Sequence, residues 1–148
     1  MPIIRRAVEK DIPRILELYR QLSFEPEKYK APPVNECLKV FRKMSLYPGY
    51  ELLVAEDNGR VVGTTVMAIL PGFAHGTSPF AVVEYVVVDE PYRSKGIGKL
   101  MMDSVISLAR GAGCYKIMLT SDLRRERAHK FYKTVGFEAS AHGFRLYF

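Results

Sequence analysis

Residues 86–100 read V-V-V-D-E-P-Y-R-S-K-G-I-G-K-L and place Arg93, Gly96 and Gly98 where an apolar strand hands over to a helix. The first backbone N–H groups of a helix have no intrahelical acceptor, and the helix dipole adds partial positive charge there, so an anion binds readily. Glycine lets the backbone approach phosphate oxygens that a Cβ would obstruct. The ligand this chemistry suits is a diphosphate. Two other phosphate loops fail on the residues themselves. A Walker A loop needs glycine where this chain has Arg93, and a magnesium-binding Ser or Thr where it has Leu100. The dinucleotide fingerprint needs a third glycine at Met101. A helix that merely begins with glycines is the plain alternative.

The elements around that turn come from a chain of 148 residues, 48% hydrophobic and 26% charged, which suits one ordinary domain, residues 1–148, and not a disordered chain. The longest apolar candidate, 61–70, is broken by Gly63, Thr64 and Thr65, so no membrane span is expected. Arg5 and Arg6 precede any signal-peptide run, and the expected compartment is the cytoplasm. Cys37 and Cys114 lie outside any CxxC spacing, and His75, His129 and His142 are not at metal-ligand spacing, so no metal is expected. Lys plus Arg is 22 against 16 Asp plus Glu, and the +6 balance favours an anionic ligand. The basic residues are scattered and no RNA-stacking pattern is present, which ranks nucleic acid behind a small phosphorylated ligand.

Along the chain, residues 3–8 read as a strand, and Asp11 as the N-cap of a helix whose face is Ile12, Ile15, Leu16, Tyr19 and Leu22. Pro26, Pro32 and Pro33 make 24–33 a loop before a second helix, 34–45. Period-two alternation then predicts a hairpin, 50–56 and 60–70, across Asp57, Asn58 and Gly59. A loop at 71–79 leads to a strand at 80–88, a long helix at 96–110, a short strand at 115–120 and a helix at 124–135 with Asp122 as its cap. Residues 137–148 are expected to complete the sheet with one or two strands. The fold class is α/β, with a mostly antiparallel first half and a crossover through the helix after Val88.

With Arg93-Ser94-Lys95-Gly96-Ile97-Gly98 after the fourth strand, the chain resembles the GNAT superfamily of acetyl-CoA-dependent N-acetyltransferases, whose signature is R/Q-x-x-G-x-G/A. A second segment, Ala128 to Phe137, matches the family at the last helix. The resemblance implies a GNAT fold: a mixed, mostly antiparallel sheet, splayed strands 4 and 5, and four flanking helices. It implies acetyl-CoA as cosubstrate, with pantetheine against Val86, Val87 and Val88. The pyrophosphate would lie on Arg93, Ser94, Lys95, Gly96, Ile97 and Gly98, beside Lys99, with further contacts at Thr120, Ser121 and Phe131. Many relatives carry Asn where this chain has Thr120, Ser121 and Asp122.

The implied reaction is attack of a neutral primary amine on the thioester through a tetrahedral intermediate. An ammonium must first lose its proton, and Glu84, where relatives carry an acidic residue, suits that task. Strand alternation sets Glu84 on the face of Val86 and Val88 unless a bulge intervenes. The alternative reading of Glu84 is a solvated strand carboxylate. Tyr132 matches the family tyrosine that protonates the departing thiolate, and its alternative is the buried helical stripe of Ala128, Phe131 and Val135. His129 is expected on the helix surface, while His75 and His142 could line the acceptor site. The ending Ala139 to Phe144 is loosely similar to small acetyltransferases acting on aminoalkylphosphonates, which suggests a small amine, anionic or not, in preference to a histone tail, bound by loops 24–33, 72–78 and 139–148, and leaves aminoglycoside and peptide acceptors open. A homodimer is left open. A different class, a non-catalytic acyl-CoA-binding sensor or regulatory module, would keep Arg93, Gly96 and Gly98 while Glu84 and Tyr132 did nothing.

Overall fold

Period-two segments of the chain pair into one sheet in this computed structural model, which describes residues 1–148. The strands are β1 (Ile3–Arg6), β2 (Tyr50–Asp57), β3 (Arg60–Leu70), β4 (Phe80–Val88) and β5 (Ile117–Met118), in that order across the sheet. Neighbours from β1 to β4 are antiparallel, and β4 and β5 are parallel. Between β2 and β3, Asn58 (φ 50°) and Gly59 (φ 77°) both adopt the left-handed conformation, which suits the twist of a two-residue hairpin. The β4–β5 ladder holds only Ala81 opposite Ile117 and Val82 opposite Met118, so Val83–Val88 runs on without a partner on that side. This is the expected separation of strands 4 and 5.

The helices in order are α1 (Ile12–Arg20), α2 (Val34–Met44), the one-turn α3 (Ala74–Thr77), α4 (Ile97–Gly111) and α5 (Glu126–Thr134). Apolar spacing on α1 drives Ile15 and Leu18 onto Val54, Val61 and Val87, with Phe41 of α2 packed against the same cluster. Ile97 and Met101 of α4 pack on Ala55 and Val62 in a second cluster, joined by Val86 and Val88. Helix α4 approaches the sheet closely at Gly63, where a Cβ would stand 2.7 Å from Met101 Sδ and 3.2 Å from the Val87 carbonyl oxygen.

The chain falls into two compact units, Met1–Met118, which holds the whole sheet, and Leu119–Phe148, which holds α5. No helix is long and apolar enough to cross a membrane. Two expected features differ. Residues 137–148 form no strand. Their alternation of Phe144, Leu146 and Phe148 suits a pleat, but alternation alone makes no strand without a ladder partner, and these side chains stay exposed. Asp11 does not cap α1 with its side chain; its carboxylate turns back to accept the Val8 N–H at 2.8 Å and two hydrogen bonds from Arg5.

Candidate functional site

The register of β4 against β3 decides where Glu84 points. Val66 lies opposite Glu84 and Thr64 opposite Val87, so β4 carries one more residue than β3 over this stretch. The extra residue is a bulge at Tyr85, whose φ is 55°. Residues facing each other across a ladder share a side of the sheet, and Thr64 and Val66 share theirs. Glu84 therefore lies on the face of Val87, toward α1, whereas Val86 and Val88 pack against α4. The unbroken alternation that would unite Glu84 with Val86 and Val88 is interrupted here.

The bulge has its own supports. Thr65 Oγ1 donates to the Glu84 carbonyl at 3.3 Å, and the Tyr19 ring of α1 meets the Tyr85 ring at 5.5 Å between centroids, tilted by 43°. Burial, followed by the neighbouring Tyr50, Tyr85 and Tyr29, pushes the Tyr19 phenol well above its ordinary pKa, so it stays neutral. The Glu84 carboxylate itself is exposed. Together these set the exposed Glu84 carboxylate next to the bulge, on the α1 face of β4.

The turn after β4 leads into a helix whose first backbone donors are open. Ser94 (φ 61°) and Gly96 (φ 85°) take left-handed conformations, and Gly96 is the residue from which α4 starts. The first bond of the α4 ladder is from the Leu100 N–H to the Gly96 carbonyl, 3.0 Å. The N–H groups of Ile97, Gly98 and Lys99 precede it and have no acceptor within the helix. Arg93 departs from the expectation, since its own N–H donates to the Glu90 carbonyl at 3.2 Å. Its guanidinium donates to the Val88 carbonyl at 2.8 Å and to Gln21 Oε1 at 3.1 Å. Lys95 lies over the Tyr92 ring, 5.7 Å from its centre, and Lys99 pairs with Asp103 at 2.7 Å. The residues present fit a diphosphate: open helix-end donors, a glycine turn and cationic side chains.

Behind this turn, buried Asp89 accepts from Gln21 Nε2 at 2.7 Å and pairs with Arg14. Burial alone would raise the Asp89 pKa, but the hydrogen bond from Gln21 and the charge of Arg14 outweigh it and hold the carboxyl below the ordinary range. Gln21, Asp89 and Tyr19 carried no functional signal in the sequence. Tyr19 read as one more position of an apolar stripe, and the partners of Gln21 lie about 70 positions away in the chain.

The remaining predicted residues belong to Leu119–Phe148. Thr120 is exposed and Ser121 half-buried, and Thr120 Cγ2 stands 3.0 Å from where a Cβ on Gly143 would be. The Asp122 side chain accepts the Arg124 N–H at 2.9 Å, ahead of α5, and Arg124 and Arg145 hold its carboxyl far below the usual range. His129 is half-buried, and its Nε2–H donates to the Asp122 carbonyl at 2.8 Å, which gives this histidine a local structural partner. Tyr132 is half-buried between Phe131 (5.3 Å) and Phe137 (5.9 Å, edge-on). In Met1–Met118, His75 stacks on Tyr115 at 4.0 Å.

Set beside known proteins, residues 12–137 match the acetyltransferase (GNAT) family. Glucosamine 6-phosphate N-acetyltransferase of Trypanosoma brucei brucei is 32% identical over 146 residues, covering 97% of this chain and 93% of the relative. A putative acetyltransferase from Agrobacterium tumefaciens superposes with a TM-score of 0.90 at 33% identity, over 98% of this chain and 99% of that one. For fold alone, glucosamine-6-phosphate N-acetyltransferase from Arabidopsis thaliana superposes with a TM-score of 0.87 at 23% identity, over 100% of this chain and 99% of that one.

Proposed function

This chain belongs to the acetyltransferase (GNAT) family and is an acetyl-CoA-dependent N-acetyltransferase, and from that premise we propose that its acceptor is the primary amine of a small phosphorylated amino sugar, with glucosamine 6-phosphate the first candidate. One observation carries the acceptor assignment: the Trypanosoma relative of that name is 32% identical along nearly the full length of both chains. The +6 charge is consistent with two phosphorylated reactants.

We place the diphosphate of acetyl-CoA on the N–H groups of Ile97, Gly98 and Lys99, and its pantetheine arm along the part of β4 that β5 leaves unpaired. Val86, Val87 and Val88 form that edge, Arg93, Ser94, Lys95 and Gly96 shape the turn, and Thr120, Ser121 and Phe131 complete the cofactor contacts. Glu84 accepts the proton of the acceptor ammonium. The freed nitrogen lone pair attacks the thioester carbonyl, the carbon–sulfur bond breaks as the tetrahedral adduct collapses, the Tyr132 phenol gives its proton to the departing thiolate, and the second proton shed by the nitrogen passes through solvent to restore the phenol. The whole chain acts as one catalytic domain in this scheme.

The test is thiol release from acetyl-CoA with glucosamine 6-phosphate, glucosamine, an aminoalkylphosphonate and an aminoglycoside. The phosphorylated sugar is expected to exceed glucosamine in kcat/KM by about 100-fold, as befits charge-assisted recognition of the phosphate. Equal use of the two sugars overturns the phosphate assignment, and preference for the aminoglycoside overturns the acceptor class.

A further inference from the structure

Gln21, the residue that follows α1, reaches across to the turn between β4 and α4 with both ends of its amide. Its Oε1 accepts from the Glu90 N–H at 3.0 Å and from Arg93 Nη2 at 3.1 Å, and its Nε2 donates to Asp89 Oδ1 at 2.7 Å. The orientation is forced by chemistry. A backbone N–H and a guanidinium only donate and a carboxylate only accepts, so the oxygen must face Glu90 and Arg93 and the nitrogen must face Asp89. A lysine could not accept these bonds, and a glutamate would set a second carboxylate against Asp89.

The turn is held as well by the Asp89 N–H on the Val62 carbonyl (2.8 Å), by Arg93 Nε on the Val88 carbonyl (2.8 Å) and by Tyr92 packed against the α4 cluster, but the bonds of Gln21 come from α1. The turn's local bonds are one 3-10 turn, with Tyr92 N–H on the Asp89 carbonyl (2.8 Å) and Arg93 N–H on that of Glu90 (3.2 Å). Asp89 is anchored: Arg14 holds it from α1 and in turn donates to the Val61 carbonyl at 3.0 Å. We infer that Gln21 is a positioning residue that sets the phosphate-binding turn from α1, acting through Glu90, Arg93 and Asp89. The inference rests on the acetyl-CoA reading above. It also gives α1, which leads directly into loop 24–33, a hydrogen-bonded link to the cofactor turn.

The test is calorimetric binding of CoA, which needs no turnover, with hydrogen exchange of residues 89–96 in the ligand-free protein. Gln21→Leu is expected to weaken CoA about tenfold, the size of losing support to a charged group, and to speed exchange in the turn. At saturating acetyl-CoA its kcat should stay within about threefold, because the reacting groups are untouched. In a cycle with Arg93→Leu, the double variant should lose less than the product of the two single losses, since the residues act together. Unchanged CoA affinity with a lowered melting temperature makes Gln21 merely structural and overturns the inference, as do strictly multiplicative losses. Should the leucine variant not fold, Gln21→Asn decides. With its amide one methylene short it should lose about threefold, and an unchanged affinity overturns the inference. Wild-type protein that does not bind CoA overturns the cofactor reading and this inference with it, whereas a wild type that binds alongside unaffected Gln21 variants overturns this inference alone.

Discussion

The Tyr19 ring of α1 meets the Tyr85 ring of β4 at 5.5 Å, and Tyr85 is the residue whose positive φ makes the bulge beside Glu84. A bulky residue at φ 55° is unfavourable by itself, so the ring contact is part of what offsets the cost of turning Glu84 toward α1. Tyr19→Leu should lower stability by about 1–3 kcal/mol and reduce kcat, because the bulge that aims Glu84 loses its support. Tyr19→Phe keeps the ring and should stay within roughly 0.5 kcal/mol of wild type. Chemical denaturation and steady-state rates check both. A Tyr19→Leu enzyme with full kcat would mean that the bulge holds without α1.

That contact also marks the boundary of what the sequence disclosed. The strand–turn–helix at residues 80–111 was legible because apolar period two, a glycine turn and apolar period 3.6 follow one another there. The bulge was not, because an inserted residue leaves no mark when Val82, Val83, Val86, Val87 and Val88 are all apolar and suit either face. Gln21 was hidden for a different reason: a long-range hydrogen bond leaves no periodicity. The tail misled in the opposite direction, since Phe144, Leu146 and Phe148 carry a strand pattern without a ladder to join.

Gly98→Asp should abolish the thermal stabilisation given by acetyl-CoA while leaving a folded protein, because it brings a Cβ and a negative charge to the open N–H groups of α4. At about 100 times the dissociation constant, wild type should gain roughly 2.7 kcal/mol, which a melting curve detects easily. Gly96→Ala acts differently, since φ 85° is unfavourable for alanine, and should cost roughly 1–2 kcal/mol before any ligand is added. A stabilisation by acetyl-CoA that survives in Gly98→Asp would move the diphosphate elsewhere.

Acid should destabilise this fold through Asp11 and Asp89. Both are buried, which by itself raises their pKa, yet Arg5 and the Val8 N–H at Asp11, and Gln21 and Arg14 at Asp89, hold them below the ordinary 3.8. A carboxylate lowered in the native state contributes stability that is complete above its unfolded pKa and is lost as pH falls through the native value. Stability should therefore hold near neutrality and decline as pH drops from about 5 toward 2. Asp89→Asn should cost about 3 kcal/mol at pH 7 by leaving Arg14 only the exposed Glu17 as a charge partner, and should flatten the acid slope. Denaturant midpoints across that range test this, and an unaltered slope would assign the acid sensitivity to other carboxylates.

Glu84→Gln should lower kcat/KM more at neutral than at alkaline pH. If Glu84 draws the proton from the acceptor ammonium, higher pH supplies free amine by another route and the deficit narrows. A general base is worth about 100- to 10,000-fold, and a group that only orients the acceptor much less. A deficit that is small and independent of pH would leave Glu84 with an orienting role on the α1 face.

Tyr132→Phe separates chemistry from packing most sharply, because it keeps the ring between Phe131 and Phe137 and removes only the hydroxyl. A phenol with a reference pKa near 10 can stabilise or protonate a thiolate whose conjugate acid lies near 8.5. That interaction develops as the carbon–sulfur bond breaks and is absent from the ground state. Turnover should therefore fall, by about 10- to 100-fold for loss of a single donor to a developing anion, while acetyl-CoA affinity and melting temperature change little. Both the rate and the affinity have to be measured on the same variant. Wild-type turnover would make the hydroxyl a bystander and return Tyr132 to the helical stripe it shares with Ala128, Phe131 and Val135. A joint loss of affinity and stability would make the residue structural, and protonation of the thiolate would then fall to water or to another side chain.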